Sequence, residues 1–203
     1  MITNLIAVVF AVGYLGATLW LCRGFRFTVR ALCLGAIAIA ATCVLSLIYI
    51  PLPTGASITA GSWLPLILLA LTYDKRLAML AGMVCGALAP FLLPGWSLVH
   101  WAQFFLEYLT IFSCLGYAAI FGTQTKQQIA AGIVLAVVLR IAAQTISGAV
   151  FFGQYAWDGW GAWGYSIVFH LSGKIPEGII TLLLALKMPL RRLSALAQKG
   201  TVQ

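Results

Sequence analysis

Four charged side chains lie inside long apolar segments of the chain, and they are the residues best placed to do chemistry. They are Glu107, Arg140, Lys174 and Glu177. An ionisable group within an apolar segment of membrane length is costly, so each one is by default a hypothesis about function. Gln103, Gln144 and His170 accompany them in the same segments.

His170, Lys174 and Glu177 follow an i, i+4, i+7 pattern and therefore share one helix face. We favour an internal ion pair between Lys174 and Glu177 over direct ligand contact. We expect Arg140 to pair with an acid from another helix or to hydrogen-bond to the loop above it. For His170, ligand contact and a neutral role in a helix interface both stay open.

Glu107 differs from the other charged residues because no basic residue lies one turn away in its own segment. Its neighbours are Phe104, Phe105, Leu106 and Tyr108. An acid among such side chains is well placed to meet a cationic or amino-bearing ligand.

The composition indicates what kind of protein positions these residues. The chain of 203 residues is 63% apolar and 8% charged, whereas soluble domains carry about 25% charged residues. This excludes a soluble fold. The net charge of +8 does not indicate nucleic-acid binding, because most of the basic residues lie in short gaps between apolar runs.

Catalytic and metal-binding signatures are lacking. The five cysteines form no CxxC pair and none stands near a histidine at ligand spacing, so we interpret them as packing residues and expect no metal and no cofactor. HExxH and GxSxG motifs are absent, so we expect no enzyme. GxxxxGK[ST] is also absent, so ATP-derived energy must come from another chain.

Six apolar runs approach the length of about 20 residues that spans a bilayer. They are Ile2–Cys22, Ala31–Ile50, Leu77–Leu93, Ser97–Phe121, Ile129–Phe152 and Tyr165–Leu186. Residues 62–73 form a shorter run after an uncharged Gly/Pro-rich loop at 51–61, which predicts irregular backbone dipping into the membrane. The sequence therefore predicts an all-α membrane protein with seven spans.

The basic residues predict the orientation. Apart from Arg140 and Lys174, they lie between spans one and two, three and four, and five and six, and after span seven, whereas the alternate loops at 51–61, 94–96 and 153–164 contain no Lys or Arg. By the positive-inside rule, we expect the N-terminus outside and the C-terminus in the cytoplasm of a multi-pass protein of the cell membrane.

This orientation gives each polar residue a depth. It brings six residues towards one site that opens outwards: Glu107, Tyr108, Gln144, Gly148, Tyr165 and His170. Residues 151–165 hold seven aromatic residues and four glycines. We favour a ligand pocket over an aromatic belt at the membrane interface for this loop, because glycines let the backbone turn tightly and press rings against a flat ligand.

Two segments carry a family resemblance. They are QFFLEYL at 103–109 and SGAVFFGQYAWDGWGAWGYS at 147–166. Both resemble the thiamine-specific substrate-binding subunits (S components; ThiT, also called YuaJ) of energy-coupling factor (ECF) transporters. The likeness covers some 160 residues from about residue 29.

The resemblance implies a six-helix domain over residues 29–193, preceded by an extra transmembrane helix at 1–28 and followed by a cytoplasmic tail at 194–203. It implies capture of thiamine or a close derivative from outside, with ATP-driven uptake through a module of one transmembrane coupling protein and two ATPases. Membrane lipids are the other expected partners, and nucleic acid is not one.

The same resemblance implies roles for individual residues. Glu107 and Tyr108 would contact the ligand, Trp157 and Tyr165 would stack on it or hydrogen-bond to it, and Gly148 would lie beside it. Three candidate positions hold other residues than the family pattern: Gln144 replaces a histidine, Phe152 a tryptophan and His170 an asparagine. Arg140 replaces a lysine.

A second hypothesis from the residues is a self-sufficient, proton-coupled secondary transporter of a small cationic or heteroaromatic nutrient. It would use the four intramembrane charges as a proton relay. It would also require inverted-repeat symmetry, which the sequence does not show.

Overall fold

The computed structural model describes residues 2–59, 61–93 and 98–198, which form an all-α bundle. The longer helices are α1 (Ile2–Cys22), α2 (Val29–Ser46), α4 (Lys75–Leu92), α7 (Lys126–Phe151) and α8 (Ala162–Lys187). The shorter helices are α3 (Leu64–Thr72), α5 (Trp101–Gln103), α6 (Leu109–Ser113) and α9 (Leu190–Gln198). A π-helical turn (Phe104–Tyr108) joins α5 to α6, and 3-10 turns occupy Cys114–Ala119 and Gly153–Tyr155.

The five longer helices are each long and apolar enough to cross a membrane. α3 has nine residues, in line with the half-length helix predicted at 62–73. The run predicted as one span from Ser97 to Phe121 is divided between α5, the π turn, α6 and a 3-10 turn. The loop at 94–96, the start of that run at Ser97 and the tail from Lys199 lie outside the described residues.

The loop predicted to be irregular at 51–61 is largely a β-hairpin. Strand β1 (Tyr49–Pro51) pairs antiparallel with β2 (Ser57–Thr59), and Ile50 stands opposite Ile58. Helix α2 therefore ends at Ser46, four residues before the predicted Ile50. Pro51 cannot continue a helix, and isoleucines favour strands. The pairing satisfies backbone groups that an irregular loop would leave exposed to apolar surroundings.

The core lies where α3 and α4 pack against α6 and the following 3-10 turn, with Trp63, Leu66, Met79, Phe112 and Leu115 fully buried. Two glycines of α4 permit this packing. A Cβ atom on Gly82 would lie 2.4 Å from the carbonyl oxygen of Phe112, and one on Gly86 would lie 2.0 Å from that of Tyr108. The backbone that carries Tyr108 is therefore held directly against α4.

Helix α1 joins the bundle through two buried hydrogen bonds. The hydroxyl groups of Tyr14 and Ser113 are 2.8 Å apart, and those of Thr18 and Tyr117 are 2.9 Å apart. Near its other end, Ala7 packs in a cluster with Leu106 and Ile146. The helix thus contacts both the segment that carries Glu107 and α7.

Candidate functional site

The π-helical turn Phe104–Tyr108 presents Glu107 to the interior of the bundle. A π turn accommodates one extra residue in a helix and rotates the side chains that follow it, and such turns are frequent at functional sites. Leu106 and Tyr108 are buried in the bundle, while Glu107 is half-buried between them. The Thr110 hydroxyl donates to the carbonyl oxygen of Phe105 at 3.3 Å, which occupies one backbone acceptor of the turn.

Glu107 is held by two hydrogen bonds that reach the same carboxylate oxygen. Gln103 donates from Nε2 to Oε2 at 2.9 Å, and Ser147 of α7 donates from Oγ to Oε2 at 2.6 Å. No described residue donates a hydrogen bond to Oε1. The carboxylate is therefore fixed in orientation by one oxygen and has the other available for a ligand.

A cavity of about 300 Å³ lies beside Glu107, between the π turn, α7, α8 and the hairpin. Seven of the eight predicted ligand residues line it: Glu107, Tyr108, Gln144, Gly148, Phe152, Tyr165 and His170. Oε1 of Gln144 is buried and has no hydrogen-bond partner among the described residues. A small polar and aromatic molecule suits such a cavity.

Trp157 is the predicted ligand residue that the structure does not place on the cavity wall. Its ring meets the Tyr165 ring edge-on, with 5.0 Å between centroids, and meets the Trp160 ring in the same way at 5.5 Å. Tyr165 lines the cavity, so Trp157 packs against the wall from behind in this structure. The glycines of the loop allow this turn, and Gly159 has a φ of +80°.

Gly148 lets α7 and α8 approach each other at the cavity. A Cβ atom at this position would lie 2.2 Å from Oγ of Ser166 and 3.0 Å from Nε2 of His170. The Ser166 hydroxyl is already engaged, donating to the carbonyl oxygen of Thr145 at 2.8 Å. The glycine thereby brings His170 to the same wall as Gln144.

Of the other intramembrane charges, Lys174 and Glu177 face each other, whereas Arg140 contacts a backbone carbonyl group. Nζ of Lys174 lies 3.6 Å from Oε2 of Glu177, and Lys174 also lines the cavity. Arg140, which was expected to pair with an acid or with a loop, does neither among the described residues. It donates to the carbonyl oxygen of Ile111 in α6, and its guanidinium stands over the rings of Trp63 and Phe112.

Sequence reasoning missed several residues of the site. Ser166, Phe169 and Tyr155 line the cavity, and so do Gly55, Ala56 and Ser57 of the hairpin. Phe169 follows Tyr165 by four residues, a helical spacing that could have indicated it. The hairpin residues lie in the uncharged Gly/Pro-rich loop that was predicted to dip into the membrane, but nothing in the sequence indicated which residues of the loop would meet this cavity. Ser147 also escaped notice, although it precedes Gly148.

Comparison with known proteins connects this geometry to a family. The family model described as thiamine transporter protein (Thia_YuaJ) matches residues 32–196. The thiamine transporter ThiT of Bacillus subtilis (strain 168) is 28% identical, over 71% of this chain and 82% of that protein.

The solved structure of ThiT from Listeria monocytogenes has the same fold, with a TM-score of 0.72 and 23% identity over 82% of this chain and 96% of that one. The family model covers far more than half of the chain, including every helix and turn that contributes to the cavity. The chain is therefore a membrane protein of the thiamine transporter (Thia_YuaJ) family.

Proposed function

We propose that this chain is the substrate-binding membrane subunit of an ECF-type vitamin transporter, capturing thiamine or a close derivative from outside the cell. The observation that carries the proposal is the Glu107 carboxylate, which faces the cavity with Oε1 available while Ser147 and Gln103 hold Oε2. Membership of the thiamine transporter family supports the same conclusion.

The chemistry of thiamine matches this wall. Its pyrimidine ring bears an amino group that can donate to Oε1 of Glu107, and its thiazolium ring is a cation that a buried carboxylate attracts. The rings of Tyr165, Phe169 and Phe152 line the same cavity. A cationic ring stacked on one of them would gain about 0.5–2 kcal/mol. Oε1 of Gln144, which has no hydrogen-bond partner in the described part of the chain, can accept a second polar contact.

ATP-driven transport would require partners, because the sequence has no nucleotide-binding loop of its own. We propose a module of one transmembrane coupling protein and two ATPases, with six helices forming the S-component domain and α1 added as a seventh span. The N-terminus would lie outside and the C-terminus in the cytoplasm. The proposal would be supported if cells take up thiamine in an ATP-dependent manner when they express the chain together with such a module, and do not when they express the chain alone. Uptake driven by a proton gradient by the chain alone would favour a secondary transporter.

Binding can be tested with the seven tryptophans of the chain as reporters. Purified protein would be titrated with thiamine, its pyrimidine half and its phosphate esters while tryptophan fluorescence is recorded. Saturable quenching by thiamine at nanomolar concentrations is the expected result. No response to any of these compounds, together with tight binding of an unrelated vitamin, would reject the proposal.

A further inference from the structure

A separate cavity of about 470 Å³ lies at the end of the bundle that carries the basic loops, where α7 begins, α8 ends and α9 begins. We call it the α9 cavity. Its wall has a cationic part, formed by Lys126, Arg191 and Arg192, and an apolar part that includes Ile129, Leu186 and Met188. The proposed function does not use this space.

The three cations of the α9 cavity have no acidic partner among the described residues. Lys126, Arg191 and Arg192 are all exposed, and no described carboxylate lies within salt-bridge distance of any of them. The acid in the loops at this end, Asp74, pairs with Arg76 instead, with 2.9 Å between Oδ2 and Nη2. The cavity therefore presents three positive charges that no described carboxylate neutralises.

Helix α9 fixes the two arginines at the cavity. It packs against α3, with Leu193 and Ala197 half-buried while Arg191 and Arg192 stay exposed. Near its far end, Arg30 at the start of α2 donates from Nη2 to the carbonyl oxygen of Leu196 at 2.7 Å. The helix is thus attached both to α8, which it follows in the chain, and to α2.

The apolar part of the wall continues along α8 into the membrane-spanning region. Ile175, Ile179, Leu183 and Leu186 follow an i, i+4, i+8, i+11 pattern and share one helix face. The first three are 45%, 53% and 53% exposed. From Leu186 to Ile175 the helix rises about 17 Å, close to half of the hydrocarbon thickness of about 30 Å. An apolar stripe as long as one leaflet therefore begins at the cationic cavity.

We propose that the α9 cavity binds an anionic phospholipid, with its phosphate at Lys126, Arg191 and Arg192 and an acyl chain along the stripe of α8. In the proposed orientation this lipid belongs to the cytoplasmic leaflet. Guanidinium groups form charge-assisted, often paired hydrogen bonds to phosphate. Basic pockets at the cytoplasmic ends of transmembrane helices bind anionic head groups in the same way. A zwitterionic lipid would bring its own positive charge to the three cations.

The apolar stripe favours a lipid over a soluble anion. A free phosphate could pair with the arginines, but it would leave the wall at Leu186 and Met188 without an occupant. A lipid occupies both parts of the cavity, and burying its acyl chain adds affinity that a detached head group lacks.

The test is a lipid titration of the full chain in detergent, followed by native mass spectrometry. We expect phosphatidylglycerol to bind at least about tenfold more tightly than phosphatidylcholine with the same acyl chains. Equal affinities would overturn the proposal. A tenfold molar excess of the phosphoglycerol head group without acyl chains should not displace the bound lipid. Displacement at that excess would show a site for a soluble anion and overturn the lipid assignment.

Variants locate the effect. In Arg191→Gln/Arg192→Gln, the ratio of the two lipid affinities should fall to within about threefold of unity, because both guanidinium groups are lost. Arg23→Gln/Arg26→Gln removes two charges from the loop between α1 and α2 at the same end, outside the cavity, and should keep the wild-type ratio. Equal losses in the two double variants would show attraction to the whole basic end, which overturns a site at α9.

Lys126→Gln, on α7, is a second variant and should by itself lower the lipid preference about threefold or more. A preference that persists undiminished both in this variant and in Arg191→Gln/Arg192→Gln would overturn the site. If such variants lost assembly with the proposed coupling module instead, the cations would be assigned to a protein partner. Thiamine titration of the same samples keeps the two proposals distinct, since the lipid ratio decides this one whether or not thiamine binds.

Discussion

The Ser147 hydroxyl donates a 2.6 Å hydrogen bond to Oε2 of Glu107, joining α7 to the π turn across 40 positions of sequence. The bond holds Oε2 towards α7, and no described residue donates a hydrogen bond to Oε1 of this cavity-lining residue. Gln103 reinforces this orientation from one turn before Glu107.

Replacing the carboxylate should weaken ligand binding. We expect Glu107→Gln to raise the dissociation constant for thiamine at least tenfold, about 1.4 kcal/mol, because an amide keeps the size of the group but loses its charge. Fluorescence titration measures the change, and Asp158→Asn in the exposed loop is the matched carboxylate-to-amide control. An unchanged titration curve for Glu107→Gln would remove this residue from the site.

Removing the hydroxyl that orients the carboxylate should have a related effect. We expect Ser147→Ala to weaken thiamine binding by about tenfold, since a hydrogen bond to a charged group contributes about 1.5–3 kcal/mol. Ser194→Ala, on α9, is the control and should bind like the wild type.

A double-mutant cycle shows whether Ser147 acts through Glu107. In the Glu107→Gln background, Ser147→Ala should cost much less than it does alone. Equal costs in the two backgrounds would mean that the hydroxyl acts independently of the carboxylate, contrary to the geometry.

The contact at Gly148 should tolerate no side chain. A methyl group there would meet Ser166 and His170, so Gly148→Ala should separate α7 from α8 and lower the free energy of unfolding by about 1–3 kcal/mol. Thermal unfolding in detergent and thiamine titration measure the two consequences. Gly13→Ala in α1, where a Cβ atom would meet nothing within 4 Å, should leave thiamine binding unchanged and should not lower the free energy of unfolding, since alanine is the better helix former. Wild-type behaviour of Gly148→Ala would show that the helices can separate at no cost.

Helix α1 should contribute to stability through its hydroxyl contacts. Tyr14→Phe and Thr18→Val each remove one buried partner, from Ser113 and Tyr117 respectively. Each should lower the free energy of unfolding by about 1 kcal/mol. Thr3→Val, near the start of the same helix, is the control in thermal unfolding. Melting temperatures equal to the wild type in both variants would indicate that α1 is attached by apolar packing alone.

The sequence by itself determined that the chain is an all-α membrane protein, since its low content of charged residues and the length of its apolar runs leave no other solution. It also singled out Glu107, because a lone acid among aromatic residues in a span is conspicuous. Helical spacing placed Lys174 and Glu177 on one face. These properties depend on residue types and on their spacing along the chain, so they can be predicted from the sequence without knowledge of the tertiary packing.

Only the tertiary structure decided which groups meet. Helical periodicity gives the face of a residue but neither the rotation of its helix nor the neighbour that the face meets. The bond from Ser147 to Glu107, the return of the hairpin at Ala56 to the cavity wall and the position of Trp157 behind Tyr165 all join residues whose contact is set by packing. For the same reason, the sequence could not show that Arg140 donates to the carbonyl oxygen of Ile111, since that contact depends on how α6 and α7 pack.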